Sequence, residues 1–121
     1  MSKKIIYICS PLRGDYEQNK QNAEDHCREI MLHHPDVVPI APHIYFTQFL
    51  NDLDPIERSL GMTAGLDLLK VCDEMWVFGI ENPSEGMKLE MQCAKVCDIP
   101  ILNGHLVLKI DSTTEKEGAK T

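Results

Sequence analysis

The sequence predicts a single α/β domain with a mostly parallel sheet of four to five strands and helices on both faces. Three observations carry that expectation. Short apolar, β-branched runs alternate with longer amphipathic stretches along the chain. The connections between them are short, as expected when each strand crosses over through a helix to a parallel neighbour. The two polar loops richest in turn residues, "SPLRGD" and "IENPSEG", each follow a strand, at the sheet edge where such folds bind ligands.

The elements follow in order. "KIIYICS" (4–10) reads as a buried first strand feeding the loop "SPLRGD". Tyr16 to His34 reads as a helix with Ala23, Cys27, Ile30 and Met31 toward the sheet, and Pro35 stops it. His26, His33 and His34 are expected to face water. "DVVPIAP" (36–42) reads as a second strand, and Pro39 within it predicts a sheet edge. Residues 43–53 are aromatic and mixed in period, so they fit either a short helix or a loop shaping a pocket. Asp54 then caps a helix with Pro55 at its first position. Gly61 and Gly65 inside that helix allow either a close approach or a kink. "DEMWVFGI" (73–80) is the strongest strand, followed by a helix over about 84–96 and a strand over 98–103. "HLVLKI" (105–110) reads as one more strand or a final edge. The expected domain, a Rossmann- or flavodoxin-like three-layer unit, spans residues 1–110, with a disordered tail over 111–121.

Composition narrows the function. The 121 residues are enough for one core without staples, and no apolar run approaches the ~20 residues of a membrane span. No signal-peptide pattern opens the chain, so the expected compartment is the cytoplasm. A net charge of −7 disfavours nonspecific nucleic acid and anionic membranes as partners. It leaves room for a small phosphorylated ligand held locally. Five cysteines without a C-x-x-C pair read as reduced, mostly buried thiols. No histidine or carboxylate spacing marks a metal site, and no cofactor is expected.

The two loops carry the chemistry. In "SPLRGD", Ser10 offers a hydroxyl, Arg13 a planar cationic fork and Gly14 a bend. The loop is neither a dinucleotide fingerprint nor a Walker A loop. In "PSEGMKLE", Ser84 is a natural N-cap, and Gly86 helps expose first-turn N–H groups to an oxyanion. Glu90 stands six residues on, within the second helical turn. A solvated surface glutamate and a group poised over a ligand are both open at that point. So are the two readings of Asp67, as a solvated helix residue or one turned to a pocket. His43, after the second strand, is placed to approach a ligand or to sit idle in a loop.

Four segments in order, "IYICSPLRGD", "APHIYF", "GLDLLKVCDEMWVFG" and "PSEGMKLEMQCAK", resemble the nucleoside 2-deoxyribosyltransferase superfamily. The resemblance includes its 2′-deoxynucleoside 5′-phosphate N-hydrolases and small phage- and prophage-associated members, and runs from Lys4 to about Ile101. Leu89 and Met91 depart from the family pattern on either side of Glu90. The resemblance implies an enzyme with Glu90 as the nucleophile at the anomeric carbon, Asp67 beside the scissile bond and Tyr7 hydrogen-bonding the nucleophile. It further implies that Ser10, Arg13, Gly14, Ser84 and Gly86 hold sugar and 5′-phosphate while His43 approaches the base. The implied partners are a nucleoside or nucleotide and further copies of the chain, in a homodimer or larger homo-oligomer. A non-catalytic module that sequesters or senses a nucleotide-derived ligand is the alternative. A regulatory α/β domain is disfavoured, since no phosphorylatable-aspartate loop follows the first strand.

Overall fold

The computed structural model describes residues 3–109. It contains β1 (Lys4–Cys9), α1 (Tyr16–His33), β2 (Val37–Ile40), α2 (Pro42–Phe46), α3 (Pro55–Leu69), β3 (Glu74–Val77), α4 (Glu85–Val96) and β4 (Ile101–Asn103). All neighbouring strands pair in parallel, in the order β2-β1-β3-β4. The α/β class, the parallel sheet and the flavodoxin-like layering are those read from the sequence. The expected domain limit at 110 and the tail over 111–121 fall outside the described residues.

Alternation within the central strands builds two cores. Tyr7 and Cys9 of β1 and Met75 and Val77 of β3 point to one face, where Leu69, Met87 and Ala94 of α3 and α4 cover them. Ile6, Ile8 and Trp76 point to the other, against Ile30 and Cys27 of α1 and Val107 and Leu108. A strand buried on both faces needs apolar residues at every position, which explains the unbroken runs in "IIYIC" and "MWVF". Pro39 lies on β2, an edge strand, where a missing N–H costs no ladder bond on the open side.

The helix ends obey local chemistry. Asp54 accepts from the Ile56 N–H at 2.9 Å with Pro55 opening α3. Ser84 accepts from the Met87 N–H at 3.3 Å, fixing the start of α4. At the other end of α4, Asp98 adopts φ 58°. The Ile99 N–H reaches Ala94 O, and the Asp98 N–H reaches Lys95 O. These are the two bonds of a Schellman stop, which turns the chain into β4.

Three expectations are corrected. Residues 104–109 are helical rather than a strand. Asn103 Oδ1 accepts from the His105 and Leu106 N–H groups and so starts a helix directly after β4. His34 is buried, edge-on to Trp76, and His26 stacks on Phe78 at 3.9 Å, so neither simply faces water. His26 lies three and four residues from Ala23 and Ile30, on the stripe α1 turns to the sheet. Of the cysteines, Cys9 and Cys72 are buried, while Cys27 and Cys93 are half-buried and Cys97 is exposed.

Candidate active site

A cavity of about 310 Å³ opens at the carboxyl edge of the sheet. Its walls come from the end of β1 and the loop after it, from α2 and α3, and from the first turns of α4. β1 and β3 send their chains to opposite sides of the sheet here, which leaves the crevice that parallel sheets use for ligands.

Tyr7 and Glu90 form its floor. The Tyr7 hydroxyl donates to Glu90 Oε2, and the Cys9 thiol lies 3.7 Å from Oε1. Tyr7 is 1% exposed. Burial raises Glu90 from an ordinary carboxylate value of 4.5 to about 7, against the opposing bonds from Tyr7 and Cys9. Burial also raises Tyr7 well above its ordinary range, with the Glu90 charge adding to it. Burial and the Glu90 charge raise the Cys9 thiol too, so neither group is a ready base. Tyr7 and Cys9 therefore each keep their proton, and of the three groups Glu90 is the one poised to change charge near neutrality.

Two glycines of α3 face the cavity, and a Cβ on either would make ordinary contact with its neighbours. A Cβ on Gly65 would stand 3.5 Å from the Tyr7 hydroxyl oxygen and 3.6 Å from Pro42. One on Gly61 would stand 3.4 Å from Leu50. The helix thus turns backbone toward the cavity at these two positions.

The remaining walls are polar at one end. Ser10 Oγ and His43 Nε2 are 2.9 Å apart, joining the β1 loop to α2. Burial lowers His43 to about 4, so its ring is neutral at ordinary pH. Arg58 bonds both carboxylate oxygens of Asp52 at 3.2 Å, and Arg13 Nε lies 3.3 Å from Asp52 Oδ2. Phe46, Leu50 and Met62 supply an apolar side.

Seven of the nine residues singled out from the sequence meet here: Tyr7, Ser10, Arg13, His43, Ser84, Gly86 and Glu90. Two do not. Gly14 (φ 99°) shapes the bend after Arg13 but does not line the cavity. Asp67 is exposed and lies 3.8 Å from Lys70 on the outer surface of α3. The α3 position facing the Tyr7 hydroxyl is Gly65, and Asp67, two residues later, is turned about 200° away from it. Asp52, Glu57 and Arg58 line the cavity without having been singled out. The spacing of Arg58, Gly61, Met62 and Gly65, at i, i+3, i+4 and i+7, is the helical face that would have disclosed the α3 wall. Among the described residues, no three His, Cys, Asp or Glu side chains gather as a metal site. No described helix is long and apolar enough to cross a membrane.

Sheet order and cavity together define a flavodoxin-like α/β protein with a ligand-sized crevice at its strand ends. Residues 4–103 match the family described as domain of unknown function DUF7768, and the chain belongs to that family. Among solved structures it is similar to the 2-deoxyribosyltransferase of the psychrotolerant bacterium Bacillus psychrosaccharolyticus. The two share a TM-score of 0.56 and 15% identity over 80% of this chain and 69% of that one. At that identity the likeness establishes the shared fold. That enzyme is described as a biocatalyst for the synthesis of antiviral and antitumoral nucleosides. No curated protein matches the chain.

Proposed function

We propose that this protein cleaves or transfers the N-glycosidic bond of a nucleoside or nucleotide, with Glu90 as nucleophile. The observation that carries the reading is the pair of buried Tyr7 and half-buried Glu90 on the floor of the cavity. Departure of a base leaves oxocarbenium character on the sugar, and a carboxylate beneath the ring stabilises it. Attack of a Glu90 oxygen on the anomeric carbon forms a glycosyl ester as the C–N bond breaks, with the bond's electron pair leaving on the base. Water or a second base then displaces the ester and regenerates Glu90. Tyr7, by donating to Oε2, holds the carboxylate in one orientation and favours its ionised form. His43 and Ser10 stand at the wall where the base or sugar would be oriented.

A second reading has a specific observation in its favour. Gly65 stands opposite the Tyr7 hydroxyl and Asp67 lies outside the cavity, so the aspartate expected beside the scissile bond is not placed to protonate a leaving base. On that reading the protein binds a nucleotide-derived ligand without turnover. Incubation with nucleosides and 5′-monophosphates, with chromatography for free base, separates the two. Base release that disappears in Glu90→Ala supports the enzyme. Tight binding without release supports the binder, and release that survives Glu90→Ala removes the assigned nucleophile.

The same reading includes self-association. Tyr45, Phe49, Leu53, Ile56 and Leu60 are exposed on α2, α3 and the segment between them, and Tyr45 and Phe49 pack edge-on at 5.4 Å. A second copy of the chain would cover this apolar face. Light scattering at micromolar concentration should report a dimer or larger, and a monomer would contradict it.

A further inference from the structure

Both arginines at the cavity are already committed to a carboxylate. Arg58 donates to both oxygens of Asp52 from Nη1 alone, and Arg13 adds its Nε to the same group while its Nη2 donates to the Asp52 carbonyl at 3.4 Å. Glu57 stands on the same wall, with Oε1 accepting from the Asn51 N–H at 2.9 Å. Glu85 and Glu90 line the side formed by α4. Two guanidinium groups therefore face the carboxylates of Asp52 and Glu57, with Glu85, 3.3 Å from Lys88, and Glu90, which changes charge near 7, on the α4 side. The start of α4 adds roughly half a positive charge, and its N3 amide is already bonded to Ser84.

A 5′-phosphate carries a charge of about −1.5 to −2 near neutrality. The two guanidinium groups keep unused N–H donors, but their charge is already shared with Asp52 beside Glu57, so the phosphate would require compensation from charge that is already engaged. An uncharged sugar asks for none of this, because its hydroxyl groups donate and carboxylate oxygens have spare lone pairs to accept them. From this arrangement we infer that the cavity selects an uncharged nucleoside over the corresponding 5′-monophosphate, with Asp52 and Glu57 receiving the sugar hydroxyls. Arg13 and Arg58 then act as positioning residues for Asp52. The inference rests on the nucleoside reading of the cavity given above.

The test is calorimetric titration of deoxyadenosine, deoxyguanosine, deoxycytidine and thymidine, each beside its 5′-monophosphate. The parent protein, Asp52→Asn and Glu57→Gln are compared at one ionic strength. The parent should bind at least one nucleoside at least about tenfold more tightly than its monophosphate. Either substitution should shrink that ratio, by removing negative charge while keeping an acceptor oxygen. Glu57→Gln carries the comparison if Asp52→Asn does not fold. A monophosphate that binds as tightly as its nucleoside, or more tightly, overturns this inference and leaves the proposed function standing. A ratio unmoved by the substitutions overturns the electrostatic cause. Binding of neither ligand class overturns both the inference and the nucleoside reading.

Discussion

The Tyr7 hydroxyl, on the central strand of the sheet, donates to the carboxylate of Glu90, on the second turn of α4. The bond crosses 83 residues of sequence, and it is made where the helix that follows β3 packs over β1. Removing the hydroxyl should be felt by Glu90 first. Tyr7→Phe keeps the buried ring and deletes a bond that holds the Glu90 pKa down. The Glu90 titration, followed by NMR of the carboxyl carbon, should move upward from about 7. The fold should lose about 1 kcal/mol. An unmoved titration would mean that the two side chains are not coupled in solution.

Burial of Glu90 makes stability depend on pH with a definite sign. Its pKa is raised in the fold, from 4.5 to about 7, so the folded protein holds a proton that the unfolded chain releases over that window. The stabilisation is fully present below 4.5 and is lost as pH rises through about 7. Its size is on the order of 3 kcal/mol. Urea unfolding at pH 5 and pH 8 should show the parent losing more stability between them than Glu90→Gln does. Equal losses would contradict the burial of this carboxylate.

The ring of Phe78 leaves no room beside Gly104. A Cβ there would meet three ring carbons at 2.5 to 2.6 Å, so Gly104→Ala must displace either the ring or the chain after β4. Overpacking of this kind costs about 1–3 kcal/mol. His26, stacked on the other side of that ring, should show altered imidazole resonances in the same variant. A variant as stable as the parent would place the segment after β4 elsewhere.

Asp67 sits on an exposed surface, so Asp67→Ala should change stability by less than about 0.5 kcal/mol. It should also leave ligand affinity at the cavity unchanged in calorimetry. A large loss of affinity would mean that α3 rotates when ligand binds.

Much of this arrangement was legible in the residues themselves. The unbroken apolar runs of β1 and β3, Pro39 at a sheet edge, and the caps Asp54 and Ser84 each have a local cause that acts before tertiary structure forms. The two loops after strands marked the end of the sheet where the cavity lies, because a parallel sheet gathers them there by topology. What was hidden depends on rotation about a helix and on pairing across the chain. Whether Gly65 or Asp67 faces Tyr7 is settled by how α3 rolls against α2 and the sheet, where Gly65 lies beside the Tyr7 hydroxyl and Pro42. The Arg13–Asp52–Arg58 cluster joins a loop to a segment 39 residues away, and neither end announces the other. "HLVLKI" resembles a strand in composition, yet Asn103 caps it into a helix.

A Glu90 nucleophile would carry the sugar on one of its carboxylate oxygens during turnover. Acid quenching of the protein during incubation with nucleosides, followed by intact-mass and peptide mass spectrometry, tests it most directly. A glycosyl adduct is expected on the peptide carrying Glu90, and none in Glu90→Gln. Base release with no adduct in the parent, continuing undiminished in Glu90→Gln, would contradict it.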